Sequence, residues 1–382
     1  MIFWNFLIEN YFLFYEASLR VLNKKGKHSF IVPITWLTIP SADSLRKYIL
    51  HNYSIERIVW LPELVFKNAQ VNTLVSIISK DNNQNTDIYI FNTVQINSDN
   101  FVYKKFKQES FIKNENKIDI FIDKGENQIF EKIKAISISL SDVATPCSGY
   151  NPYEVGKGIA PNGKPHTKET VKTKPYHSNF RVDDSWKPNI IGRDLKRYFL
   201  NIANKKWIRY GEWLAAPRNP ENFQGKRILV QEITGGNDRR IIAAYYDKEL
   251  YHSRDVIPIK CNDETYHPFY LLGILNSYLV SWLHRKKNPK SQKVLFPKIL
   301  VSDLKKAPIP KINNSNNLLV NNIIQNVDSI IKLCSALKNV KTPQEQTAIQ
   351  RQIDATDNHI DKLVYELYNL TEEEIKIVEE DI

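Results

Sequence analysis

Cysteine and long apolar runs are scarce in this 382-residue sequence. Its three cysteines, Cys147, Cys261 and Cys334, form neither a C-x-x-C pair nor a tight cluster with histidine, so a disulfide framework and a metal site are both unsupported. A reducing, cytoplasmic compartment is the simplest location. After an apolar opening stretch, which we interpret as a buried helix, no segment approaches the roughly eighteen apolar residues of a membrane span, so no membrane partner is expected.

Glycine-rich loops are absent from residues 1–125, although helical and strand patterns alternate there. Apolar periodicity predicts helices over 6–22 and 41–50, and strands over 29–37, 55–62, 71–79 and 87–94. The last two strands are close enough in sequence to pair antiparallel, as at the end of a doubly wound sheet. Such a sheet carries its G-x-G-x-x-G, F-x-G-x-G or Walker loop after the first strand, and none is present. We therefore interpret this α/β section as the C-terminal half of a domain.

Charge is distributed unevenly along the chain. Residues 1–150 carry 17 Lys/Arg against 15 Asp/Glu (+2), residues 151–310 carry 29 against 15 (+14), and residues 311–382 carry 7 against 12 (−5). A solvated basic surface would also fit, but an excess of this size interleaved with Trp, Tyr and Phe favours a polyanion as partner.

The patterns predict three domains, with boundaries at 1–125, 126–312 and 313–382. In the middle section, turns such as RNPENF and TGGND separate the β-type runs RILVQEI and RIIAAYY, and one helix is predicted near FYLLGILNSYLVSWLHRK. This is a mixed α+β pattern, which the prolines of KAPIP end at Pro310. The tail has two segments of helical periodicity and predicts a helical hairpin or a short coiled coil.

Several segments together resemble a known family. HSFIVPITWLT and SLRKYILHNYSIERIVWLPELVFKNAQVNTLVSII resemble the closing half of the catalytic domain of TaqI-like adenine-specific DNA methyltransferases. Five further segments resemble that family's C-terminal specificity, or target-recognition, domain in the family's order: KPNIIGRDLKRY, PRNPENFQGKRILVQEI, RIIAAYYD, LLGILNSYLVSWLHRK and LFPKILVSDLKKAPIP. The resemblance implies the C-terminal half of a Rossmann-like methyltransferase sheet, then a mixed α+β target-recognition domain and a helical tail.

The resemblance also implies a reaction. Family members of restriction-modification systems transfer a methyl group from S-adenosylmethionine to the amino group of adenine in double-stranded DNA, which requires flipping the base out of the helix. One aromatic that stacks on the flipped adenine matches Phe66 in PELVFKNAQ. Another belongs to an Asn-Pro-Pro-Tyr-like tetrapeptide. Asn151-Pro152-Tyr153 has only one proline and falls in the specificity section, so we interpret it as a turn rather than a catalytic site.

No catalytic residue is therefore assigned within the chain. Because the cofactor loop and the catalytic tetrapeptide are both missing, the resemblance suggests a truncated or split methyltransferase. One partner that the resemblance implies is therefore a separate chain that carries the N-terminal catalytic half.

Basic residues of the specificity section are the candidates for DNA contact, because phosphates set affinity and base edges set specificity. The expected backbone contacts are Arg193, Lys196, Arg197, Lys226, Arg227, Arg285, Lys286 and Lys287. The expected base readers are Arg239 and Arg240, beside the TGGND turn, and Arg254, because an arginine fork can bond guanine. An internal ion pair between Arg254 and Asp255 is the alternative for the last of these.

Two other functions compete with this interpretation. A non-catalytic specificity subunit of a multi-subunit restriction-modification system would share the ILNS-type helix and the closing KAPIP-like element, but it leaves the methyltransferase-like segments unexplained. A nuclease function is supported only by scattered Asp-x-Lys triplets, such as Asp194-Leu195-Lys196 and Asp303-Leu304-Lys305. Such triplets arise easily by chance in a lysine-rich chain.

Overall fold

The computed structural model describes residues 9–61, 72–81, 84–91, 101–121, 124–202, 206–234, 241–287 and 298–380. The chain divides into two compact units, Met1–Ile122 and Asp123–Ile382. In the described part of the chain, no helix is long and apolar enough to span a bilayer. That same part holds no group of three or more His, Cys, Asp or Glu side chains placed to bind a metal ion.

The first unit is a sheet with helices packed against it. Its elements are α1 (Asn10–Val21), β1 (Lys27–Pro33), α2 (Asp43–Asn52), β2 (Ser54–Leu61), β3 (Thr73–Ser79), β4 (Asn85–Phe91), β5 (Phe101–Lys107) and α3 (Gln108–Lys113). The strand order is β1-β3-β2-β4-β5, in which only β2 and β4 run parallel. Both central strands, β2 and β3, are largely buried, as apolar runs of this kind predict.

The predicted α/β character is confirmed, but one predicted pairing is wrong. The strand at 71–79 does not pair with the strand at 87–94, because β2 lies between β3 and β4. Each of these strands pairs with β2 instead. The short separation of the two strands in the sequence does not reveal this arrangement. That this sheet is the C-terminal half of a Rossmann-like domain stays a prediction.

The second unit contains several small sheets and the longest helices. Its first elements are α4 (Lys124–Ile136), β6 (Ser137–Ser139), α5 (Leu140–Val143), β7 (Ala144–Pro146), α6 (Lys168–Thr173), β8 (His177–Ser178), β9 (Trp186–Ile190), β10 (Leu195–Lys196), β11 (Phe199–Leu200) and β12 (Lys206–Arg209). The next are β13 (Arg227–Gln231), β14 (Ala243–Tyr246), β15 (Tyr251–His252) and β16 (Val256–Cys261). The remaining elements are α7 (Pro268–Asn276), α8 (Tyr278–Lys287), α9 (Val301–Lys305), β17 (Pro308–Pro310), α10 (Asn317–Leu337), α11 (Pro343–Leu367) and α12 (Glu372–Glu379).

Two four-stranded sheets organise this unit. One has the order β15-β9-β12-β8 and the other the order β14-β13-β16-β7. The smaller pairs β10-β11 and β17-β6, with isolated bridges such as the one between Asn151 and Ala216, complete the β structure of the described residues. The single helix predicted near FYLLGILNSYLVSWLHRK is instead two helices, because Ser277 adopts an extended conformation (φ −65°, ψ 153°) between α7 and α8.

The helices of the tail belong to the second unit, where α10 and α11 pack against α7 and α12 packs against α4. Gly273 of α7 marks the closest approach, since a Cβ atom there would lie 2.7 Å from Ile323 Cγ2 of α10. The apolar face of α10, which includes Ile323, Val327 and Ile330, is fully buried. A residue larger than glycine would push α10 away from α7.

Candidate nucleic-acid interface

Four of the predicted DNA-contacting residues are exposed on the second unit. They are Arg193, Lys196, Lys226 and Arg254. None of the four forms an ion pair with another described residue of the chain. Their charges are therefore available to a partner.

Arg193 and Arg254 share one part of the surface because a tight backbone contact joins their neighbours. The Gly192 N–H donates to the Asp255 carboxylate at 2.6 Å. A Cβ atom on Gly192 would lie 3.0 Å from the Asp255 carbonyl oxygen, so the two segments pack closely against each other. The Ser253 hydroxyl donates to the other Asp255 oxygen at 2.5 Å. Asp255 thus fixes the backbone beneath the two arginines, and the alternative of an Arg254–Asp255 ion pair is not what the structure shows.

Arg197 has a different role from the predicted DNA contact. Its guanidinium donates two hydrogen bonds of 2.5 Å to the Asp357 carboxylate on α11, and a third of 3.0 Å to the Asn276 carbonyl. The Tyr198 hydroxyl donates to the same carboxylate at 2.9 Å. We correct the prediction for Arg197, because its charge is already neutralised inside the unit.

Arg227 is likewise wrong as a DNA contact, because its side chain is completely buried. The guanidinium donates to the carbonyl oxygens of Gly225, Lys248 and Leu250 at 2.7 to 3.0 Å. Burial lowers the pKa of this guanidinium to about 10, so the group stays charged at neutral pH. Arg227 closes the turn between β14 and β15 rather than facing solvent.

Arg285 and Lys286 on α8 are half-buried and have partners within the unit. Lys286 forms a 2.7 Å ion pair with Glu126 of α4, and Arg285 donates to the Tyr278 hydroxyl at 3.1 Å. These contacts place both residues in the packing of α8, which does not support their predicted role. The other predicted site residues, Phe66, Arg239, Arg240 and the side chain of Lys287, lie outside the described part of the structure.

The Asn151-Pro152-Tyr153 segment is built into the second unit. Asn151 exchanges two backbone hydrogen bonds of 2.9 Å with Ala216, and its side-chain amide donates to Glu154 at 2.9 Å. The Tyr153 hydroxyl accepts from the Tyr176 N–H at 2.8 Å. The amide and the ring that would hold a base in a catalytic tetrapeptide are thus committed to internal contacts. The turn itself follows, over residues 155–158.

His252 makes this region sensitive to acid. It is fully buried in β15, and burial together with the nearby Arg227 lowers the pKa of its imidazole to about 3. Because the unfolded-state pKa is about 6.5, the unfolded chain binds the extra proton first as the pH falls. Stability from this group is complete above pH 6.5 and is lost between pH 6.5 and 3.

We expect His252→Phe to reduce the acid sensitivity of folding. Between pH 7 and pH 5 the wild-type free energy of unfolding should fall by about 2 kcal/mol through this residue. The phenyl ring keeps the packing against Phe223, whose ring centroid lies 5.1 Å away. Urea unfolding at both pH values measures the difference, and an equal loss in the wild type and the variant would contradict the assignment.

The sequence of the first unit lacks the glycine-rich loop that would approach S-adenosylmethionine. Gly26, its only glycine, lies in the turn between α1 and β1 and not in a loop that follows a strand. A glycine-rich loop is what lets a backbone approach such a cofactor closely. The residues present therefore do not fit the cofactor by themselves, and no reaction step can be assigned to them.

Two family models match this sequence. Residues 5–66 match the Eco57I restriction-modification methylase, and residues 187–309 match the TaqI-like C-terminal specificity domain. The resemblance found in the motifs is thereby confirmed. The chain is thus similar to a restriction-modification methylase over its first matched segment and to a TaqI-like specificity domain over its second.

Two relatives are both named as a restriction enzyme and methyltransferase. A protein of Methanocaldococcus jannaschii, named as a type II restriction enzyme and methyltransferase, is 24% identical over 366 residues, which cover 93% of this chain and 28% of the relative. The type II restriction enzyme and methyltransferase Eco57I of Escherichia coli is 28% identical over 82 residues, which cover 21% of this chain and 8% of the relative. The chain therefore spans less than a third of either relative.

A solved structure supports the fold. The type IIL restriction-modification enzyme MmeI, in complex with DNA, superimposes with a TM-score of 0.61 over 98% of this chain and 52% of that protein. The sequence identity is 12%, so this likeness concerns the fold alone.

Proposed function

We propose that this chain is the DNA-binding portion of a site-specific adenine DNA methyltransferase of a restriction-modification system. The observation that carries the proposal is the order of the two matched segments, methylase at 5–66 and specificity domain at 187–309, within one chain. A non-catalytic specificity subunit would need no methylase segment. In the proposed reaction, the methyl group comes from S-adenosylmethionine, the acceptor is the amino group of a flipped adenine, and Phe66 stacks on that base.

The methyl transfer requires a further polypeptide segment that carries the cofactor loop and the catalytic tetrapeptide. The outer edge of β1 is our candidate for its attachment. The Ile34 N–H donates to the Asn72 carbonyl at 3.0 Å, so the alternation of an antiparallel ladder turns the backbone groups of Ser29 and Ile31 away from β3. The side chain of Ile31 is 45% exposed, and Phe14 on the adjacent α1 is 64% exposed. An apolar edge of this kind is typical of a strand that receives another strand.

DNA binding is proposed to use the exposed basic surface of the specificity domain, with Arg193 and Arg254 at adjacent positions. Lys196 and Lys226 add charge on the same unit. Arg239, Arg240 and Lys287 remain candidates from the sequence alone. The cytoplasm, where such an enzyme meets its DNA, is the proposed location.

The double variant Arg193→Gln/Arg254→Gln tests this surface. Each lost phosphate contact lowers the slope of log affinity against log salt by about 0.9, so the slope should fall by about 2. From 50 to 200 mM salt, the variant should lose roughly tenfold less affinity than the wild type. Equilibrium binding to duplex DNA by fluorescence anisotropy gives both slopes.

Lys341→Gln/Arg351→Gln is the matched control, because it removes the same charge from exposed positions of the acidic tail. This control should keep the wild-type slope. If the Arg193/Arg254 variant also keeps it, the two arginines are surface charges without a role in binding.

A further inference from the structure

Residues 155–182, which we call the basic loop, form a long excursion between the Asn151 bridge and β9. The basic loop carries six basic residues and one acidic residue, Glu169, and it is flanked by Glu154 on one side and by Asp183 and Asp184 on the other. Glu154 pairs with Lys157 at 2.6 Å, and Asp184 pairs with Arg181 at 2.6 Å. Four of its lysines are exposed and form no ion pair with a described residue: Lys164, Lys168, Lys172 and Lys174. Apart from one turn and a half of helix and the short β8, the loop has no regular structure. Loops of this length are uncommon in compact domains and are usually either functional or linkers.

The basic loop is held in one shape by its own hydrogen bonds. The Gly156 N–H donates to the His166 carbonyl at 2.9 Å, and the His166 N–H donates to the Lys157 carbonyl at 3.1 Å. The His166 side chain is 1% exposed and lies under Gly158, where a Cβ atom would be 2.6 Å from the imidazole. Gly158 also has a φ of +66°, so only glycine fits there without strain. A loop fixed in this way loses little entropy when a partner binds.

Large apolar side chains are exposed on the same loop. Phe180 is 69% exposed and Val182 is 54% exposed, on either side of Arg181. Val155 is 56% exposed at the other end of the loop. Internal packing explains none of these side chains. Exposed apolar side chains of DNA-binding surfaces insert between base steps, while cationic side chains contact the phosphates.

Both ends of the basic loop lead to the arginines of the proposed DNA surface. On the entry side, the Arg254 N–H donates to the Tyr150 carbonyl at 3.0 Å. On the exit side, β8 pairs with β12, which pairs with β9, and β9 leads directly to Arg193. The loop is therefore anchored in the same sheet as the proposed DNA surface. This connection favours DNA over an anionic membrane or an acidic protein as its partner.

We propose that the basic loop is a second DNA-contacting element, in which Lys164, Lys168, Lys172 and Lys174 neutralise phosphates and Phe180 contacts a base step. The proposal rests on the DNA-binding function proposed above. The loop lies almost entirely before residue 187, where the match to the specificity-domain model begins. The loop thus extends the DNA contact beyond the matched specificity domain.

The test replaces the four lysines of the basic loop with glutamine in the full chain. Binding to a duplex of arbitrary sequence is measured from 50 to 200 mM salt. We expect the salt slope to fall by about 3.6, so that the variant loses roughly a hundredfold less affinity than the wild type over this range. The control replaces four exposed tail lysines, Lys332, Lys341, Lys362 and Lys376, and so removes the same net charge. The control should keep the wild-type slope.

Phe180→Ala is measured in parallel, with Leu318→Ala as its control, because Leu318 is 73% exposed on the tail. Loss of an aromatic contact to a base weakens binding by about tenfold without a change in salt slope, since no charge is removed. Equal slopes for the lysine variant and its control would overturn the role of the loop while leaving the DNA-binding function in place. A wild-type chain that binds no duplex would overturn both. Lysine-dependent binding to phosphatidylserine vesicles without binding to DNA would assign the loop to a membrane instead.

Discussion

Purified by itself, the chain is expected to bind duplex DNA and to transfer no methyl group to it. The physical reason is that the cofactor loop and the amide of the catalytic tetrapeptide are both needed to hold the reacting groups together. Without them, essentially the whole catalytic acceleration should be lost, on the order of a millionfold or more. Incubation of the chain and duplex DNA with S-adenosylmethionine that carries a labelled methyl group measures the transfer, and label on adenine from the chain alone would overturn this expectation.

The missing segment can be sought in the DNA upstream of the Met1 codon, translated in all three frames. We expect an F-x-G-x-G segment followed by an Asn-Pro-Pro-Tyr-like segment. Co-expression of that product with this chain should restore transfer to adenine. If neither segment is present and the chain still binds DNA, the specificity-subunit alternative is favoured.

The restored enzyme also tests the assignment of Phe66. Phe66→Ala should slow transfer by roughly tenfold to a hundredfold, because stacking of a base on an aromatic ring contributes about 1–3 kcal/mol. Phe66→Trp keeps an aromatic face and should retain most of the activity. Equal rates for the alanine variant and the wild type would remove Phe66 from the site.

Asp357→Ala is expected to destabilise the second unit by about 3 kcal/mol. The substitution leaves the partly buried Arg197 without its partner and the buried Tyr198 hydroxyl without its acceptor. Tyr198 also has a φ of +71°, a strained conformation for a residue with a side chain, and its hydrogen bond to Asp357 helps to hold it. Urea unfolding with tryptophan fluorescence measures the change.

Two controls separate the ion pair from general effects of the substitution. Asp354→Ala makes the same change on the exposed side of α11 and should cost less than about 0.5 kcal/mol. The double variant Arg197→Met/Asp357→Leu removes both charges and should recover most of the lost stability. A single variant Asp357→Ala as stable as Asp354→Ala would mean that the pair contributes nothing to folding.

The sequence predicted the elements of the first unit well and their arrangement less well. The strands β1 to β4 were visible as short apolar runs, and burial on both faces removes polar residues from the interior ones. The edge strand β5 was missed, because its sequence FVYKKFK is largely exposed and carries three lysines. The position of β3 between β1 and β2 was not visible, because strand order depends on pairings between residues far apart in sequence. Motif resemblance, rather than periodicity, indicated the families whose models match residues 5–66 and 187–309.

The basic residues show a different limit of sequence reasoning. Lys226 and Arg227 are neighbours, yet Lys226 is exposed and Arg227 is completely buried, because Arg227 begins a strand that pairs on both sides. A charged residue at a strand end gives no local sign of which way it points. Asp357 was also missed, although it interrupts an otherwise apolar rhythm between Ile353 and Ile360 on α11. A polar residue at such a position is a usable sign of a buried partner.

The contact of Arg197 with Asp357 limits where the second unit can be divided for transfer into another protein. A transplant of residues 126–312 alone into another protein would follow the domain boundaries expected from the sequence. The transplant would lack α10, which contacts Gly273, so the buried face of α7 would be exposed to solvent. It would also lack Asp357, the partner of the Arg197 ion pair. The transferable module therefore extends through α11, to residue 367 at least, and chimeras should be joined after the tail rather than before it.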